Sequence, residues 1–480
     1  MATPDPQPLR APDAAAIAAL KLAAGDGNWA EDAASLAPHL VDWRGQYHGA
    51  TPLLLRPRST EEVAAIVRAA AAHGVGLVPQ GGNTGLVGGG IPPADGSAVL
   101  ISLARLNRIR SLDAPGLGLV AEAGVILQAV HEAAAAQGLA FPLSLGAKGS
   151  ATIGGLAATN AGGVQVLRHG TMRALVSGIE AVLADGSIID DLAGLRKDNS
   201  GYDLKQLLIG GEGTLGIITA VALRLAPAPA HHAVAWAGVP GPEAALALLA
   251  RLRTLSGGQV ESFELVPRCG LALVLEKLPH NRAPLTGAHP WHVLVELAGP
   301  AALDAVLAQG LEAAIAAGEV ADATIAASQA QVAALWRLRE ELPEAERLEG
   351  PAAKHDIAVP VAAMPGFALA ATARVEADFP GARVLAFGHL GDGNLHFNVR
   401  APLGSPEQAA AWLAPRRAAI AALVHDLVVA AGGSISAEHG IGVLKRAELA
   451  RLAPPAKLAA MRAIKAALDP LGIMNPGKLL

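Results

Sequence analysis

Residues 387–399 read Phe-Gly-His-Leu-Gly-Asp-Gly-Asn-Leu-His-Phe-Asn-Val, a pattern of two short strands joined by Asp392-Gly393. An Asp-Gly pair at such a junction is typical of a two-residue type I′ turn, because that turn needs positive φ at both central positions. The resulting register has three opposed pairs: Gly391 with Asn394, Leu390 with Leu395, and His389 with His396. Opposed residues have Cβ atoms about 5 Å apart, so the two imidazoles could share one metal ion.

Alternation along the second strand assigns its side chains to two faces. Leu395, Phe397 and Val399 fall on one face, which we expect to join a hydrophobic core. His396 and Asn398 fall on the other face, which we expect to line a site. The ordinary alternative is a hairpin whose histidines only make hydrogen bonds, since histidine is commonly half-buried without any ligand.

A second stretch, residues 432–442, reads Gly-Gly-Ser-Ile-Ser-Ala-Glu-His-Gly-Ile-Gly and adds a carboxylate. Glu438 could complete a set of two histidines and one glutamate with one coordination position left open, which is typical of catalytic metal sites. His439 beside it could then act as a base. Such ligands suit zinc, but Fe²⁺ and Mn²⁺ also accept them, so the sequence does not decide the metal.

Composition bounds the class of protein. A chain of 480 residues is long enough for two or three domains. Its net charge of −5 gives no electrostatic reason to expect nucleic acid as a partner. No long apolar run lacks charges and the N-terminus makes a poor signal peptide, so we expect a soluble, cytoplasmic protein with no membrane span. Cys269 is the only cysteine, which excludes an intrachain disulfide.

The first of three glycine-rich segments, residues 79–90, reads Pro-Gln-Gly-Gly-Asn-Thr-Gly-Leu-Val-Gly-Gly-Gly. It follows a predicted helix, Thr60–His73, and a predicted strand, Val75–Val78. Glycine after a strand lets backbone N–H groups approach an anion such as a phosphate. The spacing matches neither a Rossmann turn nor a Walker A loop. A flexible surface loop is the alternative that glycine content alone leaves open.

The second segment, Phe141–Gly163, combines glycine and hydroxyl residues with almost no charge. Such a lining suits a large, partly neutral ligand such as a dinucleotide. The third segment, Leu207–Thr219, leads to a predicted strand, Ala220–Leu225. Pro227 and Pro229 follow that strand, and we place a domain boundary there.

Beyond this boundary, helices and strands alternate in a pattern that predicts an α+β sandwich with helices on one face of an antiparallel sheet. The predicted helices of this sandwich are Pro242–Leu255, Ala301–Ala317, Gln329–Leu342 and Met364–Phe379. Two further helices are predicted towards the C-terminus, Ala409–Ala431 and Pro455–Leu468. The predicted strands are His232–Gly238, Gly258–Leu265, His292–Leu297, Ala382–His389 and Leu395–Val399. Arg339 and Lys354 could hold a substrate carboxylate, arginine by its bidentate fork and lysine as a point charge. The alternative for each is a solvated surface charge.

The three glycine-rich segments resemble the flavin-binding domain of the vanillyl-alcohol oxidase (PCMH-type) superfamily. Gly388–Val399, Ser436–Gly442 and Asn475–Lys478 resemble the branch that oxidises D-2-hydroxy acids, above all the D-2-hydroxyglutarate and D-lactate dehydrogenases. The likeness spans residues 47–480 and implies an α+β fold. The predicted helical lead-in (1–46) lies outside the likeness. The implied parts are a PCMH-type FAD-binding domain (47–227), an α+β substrate or cap domain with an antiparallel sheet (228–431), and a C-terminal segment (432–480) that returns to the FAD domain and completes the active site and the FAD site.

The resemblance implies that FAD is held by the glycine-rich segments and the tail. The implied contacts are Pro79, Gly81, Gly82, Asn83, Thr84, Gly85, Leu86, Val87, Gly88, Pro142, Ser144, Leu145, Gly146, Thr152, Ile153, Gly154, Gly155, Ala158, Thr159, Asn160, Gly162, Gly163, Glu212, Gly213, Gly216, Ile217 and Asn475. Some relatives attach FAD covalently through a histidine in the first loop. This chain has Asn83 in that region, so we expect non-covalent FAD.

The resemblance also assigns the site residues. It implies a divalent metal, zinc in the 2-hydroxyglutarate enzymes, on His389, His396 and Glu438, with His439 as the base and a substrate contact. The remaining implied substrate contacts are Arg339, Lys354 and Asn398. The 2-hydroxyglutarate enzymes carry a threonine four residues after the arginine, which helps to hold the distal carboxylate. This chain has Pro343 there, which departs from the pattern for a dicarboxylate substrate.

We therefore expect oxidation of a D-2-hydroxy acid, D-2-hydroxyglutarate or D-malate, to the 2-oxo acid. The metal would hold the C1 carboxylate and C2 hydroxyl, His439 would take the hydroxyl proton, and the hydride would pass to flavin N5. A separate acceptor, such as an electron-transfer flavoprotein, a quinone or a cytochrome, would reoxidise FAD. A D-lactate or glycolate-type dehydrogenase, an O₂-reducing oxidase and a non-catalytic flavoprotein subunit stay open, and the sequence does not decide whether the chain forms a homodimer.

Overall fold

The computed structural model describes Leu9 and residues 11–480, so the proline-rich start of the predicted lead-in lies outside the described residues. The helices are α1 Ala14–Ala24, α2 Ala33–Leu36, α3 Thr60–His73, α4 Leu127–Ala135, α5 Ile153–Ala158, α6 Val166–His169, α7 Met172–Leu175, α8 Lys205–Leu208, α9 Pro242–Leu255, α10 Arg268–Lys277, α11 Asp304–Ala316, α12 Gln329–Glu340, α13 Leu342–Glu349, α14 Met364–Asp378, α15 Pro406–Leu413, α16 Arg417–Ala430, α17 Arg446–Leu452 and α18 Pro455–Leu468. Short 3₁₀ turns cover Ala37–His39 and Val361–Ala363. None of the described helices is long and apolar enough to cross a membrane.

The strands form four sheets in the described part of the chain. They are β1 Trp29–Ala30, β2 Leu54–Leu55, β3 Gly76–Gln80, β4 Ala98–Ser102, β5 Ile109–Asp113, β6 Gly118–Glu122, β7 Leu139–Ala140, β8 Val176–Val182, β9 Ile188–Asp190, β10 Ile217–Arg224, β11 Ala226–Pro227, β12 His231–Val239, β13 Val260–Pro267, β14 Trp291–Gly299, β15 Asp322–Ile325, β16 Ala352–Ala358, β17 Arg383–His389 and β18 Asn394–Arg400.

The chain divides into two units. The first unit takes the described residues up to Gly162 together with Gly170–Ala228 and Glu438–Leu480, and the second takes Gly163–His169 and Pro229–Ala437. In the first unit, β2, β4 and β3 are parallel, and β1 pairs antiparallel with β2. A second, antiparallel sheet has the order β5-β6-β10-β8-β9, and β7 pairs with β11.

Helix α3 and strand β3 lead to the first glycine-rich loop. Ser59 Oγ accepts the N–H of Glu62, and the acidic residues of the first turn suit the positive end of the helix dipole. Gly74 ends the helix at φ 63°, a left-handed conformation that glycine adopts without steric cost. The predicted helix Thr60–His73 is therefore confirmed, and the loop begins where a largely buried strand ends.

The C-terminal tail pairs with β3 inside the first unit. The Leu77 N–H donates to the Ile473 carbonyl at 2.7 Å, and the Asn475 N–H donates to the Leu77 carbonyl at 2.8 Å. Buried Asp469 accepts the Ile473 N–H at 3.0 Å and pairs with Lys465 Nζ at 2.5 Å. These bonds fix Asn475 beside the start of the first glycine-rich loop.

The second unit is built on one antiparallel sheet with the order β15-β12-β14-β13-β17-β18-β16. Helices α9, α11, α14 and α16 pack on one face. Helices α10, α12 and α13 cover part of the other face, so the prediction of helices on one face only is wrong. The reason is that Val234, Trp236 and Leu294 are apolar residues on that second face and need a cover of their own.

Two further predictions about elements need correction. Strands β15 and β16 were not predicted, because β15 has only four residues and begins with Asp322, and Lys354 and Asp356 interrupt the apolar pattern of β16. The predicted helix Ala409–Ala431 is two helices, α15 and α16. Pro415 lies between them, and proline cannot continue a helix because it lacks a backbone N–H and clashes with the preceding turn.

Candidate active site

The hairpin Arg383–Arg400 carries the predicted histidines, but its register differs from the predicted one. Phe387, not His389, faces His396. Residues 390–393 form a longer loop in which Gly393 has φ 84° and Asp392 does not have positive φ, so the type I′ turn is absent. The predicted register is therefore wrong, because a type I′ turn needs positive φ at both central residues and only Gly393 has it.

The shift in register keeps every side chain of β18 on its predicted face, since faces alternate with a period of two. Leu395, Phe397 and Val399 are completely buried in the core, as predicted. The rings of His389 and His396 still lie close together, with centroids 5.6 Å apart and an angle of 72° between their planes. The opposite surface of β13, β16, β17 and β18 carries apolar Leu385 and Phe387 together with a group of polar residues. We call these polar residues the polar sheet face: Glu264, Lys354, Asp356, His389, His396 and Asn398.

Glu264 holds the first histidine. It lies opposite His389 in the ladder between β13 and β17, and its Oε1 is 2.5 Å from His389 Nδ1. The Glu264 side chain is completely buried. With Nδ1 bonded to this carboxylate, His389 would coordinate an ion through Nε2, which is the arrangement that metal-ligating histidines almost always have. Sequence reasoning missed Glu264.

The same carboxylate binds Arg339. Arg339 lies in the last turn of α12, and its Nε donates to Glu264 Oε2 at 2.6 Å. Its guanidinium lies 4.9 Å from the ring centre of Phe387. Burial alone would raise the pKa of Glu264, but the charges of Arg339 and His389 outweigh it and lower that pKa to about 2. Arg339 is buried, so it is not the solvated surface charge that the alternative prediction described.

Lys354 and Asn398 share a second buried carboxylate. They are opposed residues of β16 and β18, and both contact Glu346 Oε2, Lys354 Nζ at 2.8 Å and Asn398 Nδ2 at 2.9 Å. Glu346 is completely buried, and its Oε1 has no hydrogen-bond partner among the described residues. Pro343, two residues into α13, is exposed. Both cations predicted to bind substrate are therefore oriented by carboxylates of the protein.

Glu438 and His439 come directly after Ala437, the last residue of the second unit. Ligand atoms of His389, His396 and Glu438 lie within 4.8 Å of one another, and those of Asp356, Glu438 and His439 meet the same limit. Two imidazoles and one carboxylate form a donor set that fits Zn²⁺, Fe²⁺ or Mn²⁺. The residues predicted as ligands thus lie close enough together to hold one ion.

The glycine-rich segments of the first unit pack against each other where glycine is required. A Cβ on Gly81 would lie 2.1 Å from Thr152 Oγ1, and one on Gly82 would lie 1.9 Å from the Ser150 carbonyl oxygen. In contrast, a Cβ on Gly85 or Gly146 would meet no atom of the described part of the chain within 4 Å. The loops therefore combine tight backbone contacts with open space into which a ligand can fit.

Four predicted cofactor residues other than glycine have left-handed backbones: Asn83 at φ 52°, Asn160 at φ 50°, Glu212 at φ 52° and Asn475 at φ 41°. Their side chains tie loops together. Asn83 Nδ2 donates to the Val41 carbonyl at 2.9 Å, and Asn160 Oδ1 accepts the Arg173 N–H at 2.9 Å. These two asparagines therefore shape the loops from the protein side.

Glu212 and Asn475 link the third segment to the tail. The Glu212 carboxylate accepts the N–H groups of Ile441 at 2.7 Å and Gly442 at 2.8 Å, and Asn475 Nδ2 donates to the Glu212 carbonyl at 2.6 Å. Burial raises the pKa of Glu212, although these N–H groups and Lys445 act in the opposite direction.

Two buried oxygens in this unit, Thr152 Oγ1 and Asn475 Oδ1, have no hydrogen-bond partner among the described residues. Buried polar atoms are nearly always satisfied, so these two are suited to a bound polar ligand. Together with the open space at Gly85 and Gly146, they fit the FAD that the resemblance implies. Of the predicted FAD contacts, Gly163 belongs to the second unit and the others to the first.

Comparisons with known proteins agree with this arrangement. The family model described as "FAD linked oxidases, C-terminal domain" matches residues 228–479, and the model described as "FAD binding domain" matches residues 51–191. Mitochondrial D-2-hydroxyglutarate dehydrogenase of Bos taurus is 40% identical over 452 residues, covering 94% of this chain and 80% of its own. D-2-hydroxyglutarate dehydrogenase of Xanthomonas citri pv. viticola is 40% identical over 440 residues, covering 91% of each chain. A Schizosaccharomyces pombe protein provisionally named as a mitochondrial D-lactate dehydrogenase is 36% identical and covers 93% of this chain and 85% of its own.

Solved structures show the same fold. An alkyldihydroxyacetonephosphate synthase superposes with a TM-score of 0.72 at 18% identity, covering 98% of this chain and 87% of that chain. The 4-ethylphenol oxidase of Gulosibacter chungangensis gives 0.70 at 20% identity, covering 97% and 96%. The chain belongs to the FAD-linked oxidase family, with a PCMH-type fold, and it is an FAD-dependent oxidoreductase. The family and the fold predicted from the sequence are confirmed.

Proposed function

We propose that this flavoprotein is a dehydrogenase that oxidises a D-2-hydroxy acid with a second carboxylate, D-2-hydroxyglutarate or D-malate, to the 2-oxo acid. The observation that carries the proposal is the grouping of His389, His396 and Glu438 around one possible ion position, with His439 next in the chain. The names of the relatives that match over most of the chain support this substrate class.

Different residues would bind the ion and accept the proton. His389, His396 and Glu438 would hold a divalent ion, which, when bound, lowers the pKa of a coordinated hydroxyl group. His439 would take the hydroxyl proton at a ring nitrogen, which contributes about 10²–10⁴-fold to the rate. FAD, when bound, accepts the hydride, and a separate electron acceptor reoxidises it. We propose zinc as the ion. We also propose that FAD is bound non-covalently, because the first glycine-rich loop has Asn83 where some relatives have the histidine that attaches FAD.

Arg339 and Lys354 would hold the distal carboxylate. Arg339 is anchored at Nε by Glu264, and its two Nη nitrogens make no hydrogen bond to any described residue. Lys354 is anchored by Glu346 and remains half-buried. Because both cations are already oriented, little side-chain entropy is lost when they bind an anion. This preorganisation compensates for Pro343, which offers no hydroxyl group.

A second candidate substrate is D-lactate, or a similar acid without a distal carboxylate. The pairing of Arg339 with Glu264 and of Lys354 with Glu346 favours it, because each cation already has an anionic partner. In that case the two ion pairs would only support the sheet. The relative named for D-lactate is compatible with this reading.

Anaerobic mixing of the FAD-loaded protein with a panel of D- and L-2-hydroxy acids tests the proposal, with the loss of flavin absorbance as the readout. We expect bleaching by D-2-hydroxyglutarate or D-malate and not by their L-enantiomers. Bleaching only by D-lactate would replace the proposed substrate by the second candidate. No bleaching by any acid of the panel would contradict the dehydrogenase assignment and favour a non-catalytic subunit, and stoichiometric peroxide in air would identify an oxidase.

A further inference from the structure

Glu264 is a charged residue in the middle of a buried strand. Every residue of β13 is buried, and the strand pairs with β14 on one side and β17 on the other. A buried carboxylate is costly unless it is paired and hydrogen-bonded, and apolar residues of similar volume often give equal or greater stability. A role in the site gives a reason for a glutamate at this position that stability alone does not.

Both oxygens of this carboxylate are occupied, and by partners with different tasks. Oε1 accepts a hydrogen bond from the His389 Nδ1–H at 2.5 Å, which fixes the tautomer that presents Nε2 to an ion. Oε2 accepts a hydrogen bond from the Arg339 Nε–H at 2.6 Å, which fixes the guanidinium plane and leaves its Nη groups for an anion. One side chain therefore sets the orientation of a metal ligand and of a carboxylate-binding cation.

We propose that Glu264 is a positioning residue that couples the metal site to the binding of the distal carboxylate, so that affinity for the ion and selectivity for dicarboxylates depend on the same group. The inference rests on the proposed function, because it needs an ion at His389 and an anion at Arg339. Arg339 and His389 both bond to the same carboxylate, that of Glu264. Coupling between two binding equilibria is reciprocal. An ion on His389 and a substrate anion at Arg339 should each change the affinity for the other.

Glu264→Gln separates the two tasks because an amide offers only one acceptor atom. If the amide oxygen faces Arg339, the amide NH₂ group faces His389 Nδ1 and favours the tautomer with the proton on Nε2. A protonated Nε2 has no lone pair with which to bind a metal. If the oxygen faces His389, the NH₂ group faces the Arg339 Nε–H and the guanidinium loses its anchor. Either orientation should damage one function, whereas a merely structural glutamate would affect only stability.

Glu261→Gln is the matched control. Glu261 is a buried carboxylate on the same strand that pairs with Arg168 at 2.9 Å and contacts neither His389 nor Arg339. Both variants remove one buried charge from β13. A difference between them therefore reports the partners of Glu264 and not the loss of charge from the strand.

The experiment uses the full-length, FAD-loaded protein after removal of metal by a chelator. Zn²⁺ alone is titrated in competition with a chromogenic chelator, and thermal unfolding followed by flavin fluorescence checks the fold. We expect Glu264→Gln to weaken Zn²⁺ binding by about 10–100-fold, the range for losing such a partner. If the amide instead leaves Arg339 without its acceptor, we expect KM for D-2-hydroxyglutarate to rise more than KM for D-lactate. Glu261→Gln should change neither quantity.

Wild-type Zn²⁺ affinity together with an unchanged ratio of the two KM values in Glu264→Gln would overturn the proposal. If that variant does not fold, Glu264→Asp replaces it, because the shorter carboxylate keeps the charge but cannot reach both partners. Retention of both properties by Glu264→Asp would also overturn the proposal. If the wild-type protein binds Zn²⁺ no better than His389→Ala, the metal site of the proposed function fails, and the coupling fails with it for a distinguishable reason.

Discussion

The glycine-rich loops of the first unit and the polar sheet face of the second unit prepare for their ligands by opposite means. The loops rely on the absence of side chains, since Gly81 and Gly82 allow backbone contacts that any Cβ would block. The polar sheet face relies on buried charges, with Glu264 and Glu346 each holding one cation. The contrast teaches that one site is preorganised by backbone geometry and the other by ion pairs, so the two should respond differently to mutation and to pH.

The largest effect should come from the base itself. We expect His439→Ala to lower kcat by about 10²–10⁴-fold, because the hydroxyl proton loses its acceptor. FAD content and Zn²⁺ affinity should stay near their wild-type values, measured by absorbance and by chelator competition. The control is His280→Ala, which removes a half-exposed histidine paired with Glu341. Full turnover by the His439 variant would remove this residue from the reaction.

The ion pairs of the polar sheet face should be the next most sensitive. Arg339→Met leaves the buried Glu264 carboxylate without its cation, and breaking a buried pair in this way costs about 3–5 kcal/mol of unfolding free energy. Urea unfolding of the FAD-loaded protein measures this loss. The control is Arg347→Met, which breaks an exposed pair with Glu344 that is worth about 0–1 kcal/mol. Equal losses in the two variants would contradict the importance of the buried pair.

The glycine-rich loops should fail through crowding. Gly82→Ala places a Cβ against the Ser150 carbonyl oxygen, so a backbone segment must shift at a cost of about 1–3 kcal/mol. We expect the purified variant to lose FAD during gel filtration that the wild-type protein survives. Retention of a full complement of FAD would show that these two loops can move apart without affecting the cofactor.

Acid should distinguish two buried carboxylates. Arg339 and His389 hold the folded-state pKa of Glu264 near 2, below the usual 4.5, so its contribution is present above about pH 4.5 and is lost as the pH falls towards 2. Burial raises the pKa of Glu212, so its ionisation opposes folding and stability falls as the pH rises through that raised value. Urea midpoints measured against pH should therefore change slope in opposite directions in Glu264→Gln and Glu212→Gln. The same change of slope in both variants would contradict the assignment.

The smallest effect on folding should come from a glycine in open space. A Cβ on Gly85 would meet no atom of the described residues within 4 Å, and the φ of Gly85 is not positive. Gly85→Ala should therefore leave the stability of the FAD-free protein unchanged or raise it by about 0.4–1 kcal/mol. FAD affinity should fall if the cofactor occupies that space, and titration of the FAD-free protein with FAD measures it. Unchanged affinity would place the cofactor elsewhere.

Much of the architecture follows from local rules. Helix α3 begins at the capping residue Ser59 and ends at Gly74, as the sequence pattern requires. The alternation in β18 correctly assigned Leu395 and Phe397 to the core and His396 to the other face. Such features depend only on residues within one element, which is why a linear pattern predicts them.

Partners from distant parts of the chain were beyond local rules. Glu264 and His389 are adjacent only because β13 and β17 pair in the sheet, and Arg339 reaches them only through the packing of α12. Two glutamates in the strand-like stretch Val260–Pro267, Glu261 and Glu264, were the available signal, but the sequence did not show which partner either of them has. The register error at Asp392-Gly393 is different, since it arose locally: Gly393 adopts the positive φ that the predicted turn needs and Asp392 does not.

The sequence by itself determined the family, the glycine-rich segments and the residue types of a two-histidine, one-carboxylate site, because these depend on chemistry that is written in order along the chain. Only the tertiary structure decided that Arg339 and Lys354 are bound to Glu264 and Glu346 and are not solvated charges. The reason is physical: whether a charge can be buried depends on which opposite charge the fold brings within hydrogen-bond distance, and that distance is a property of the packed sheet and helices.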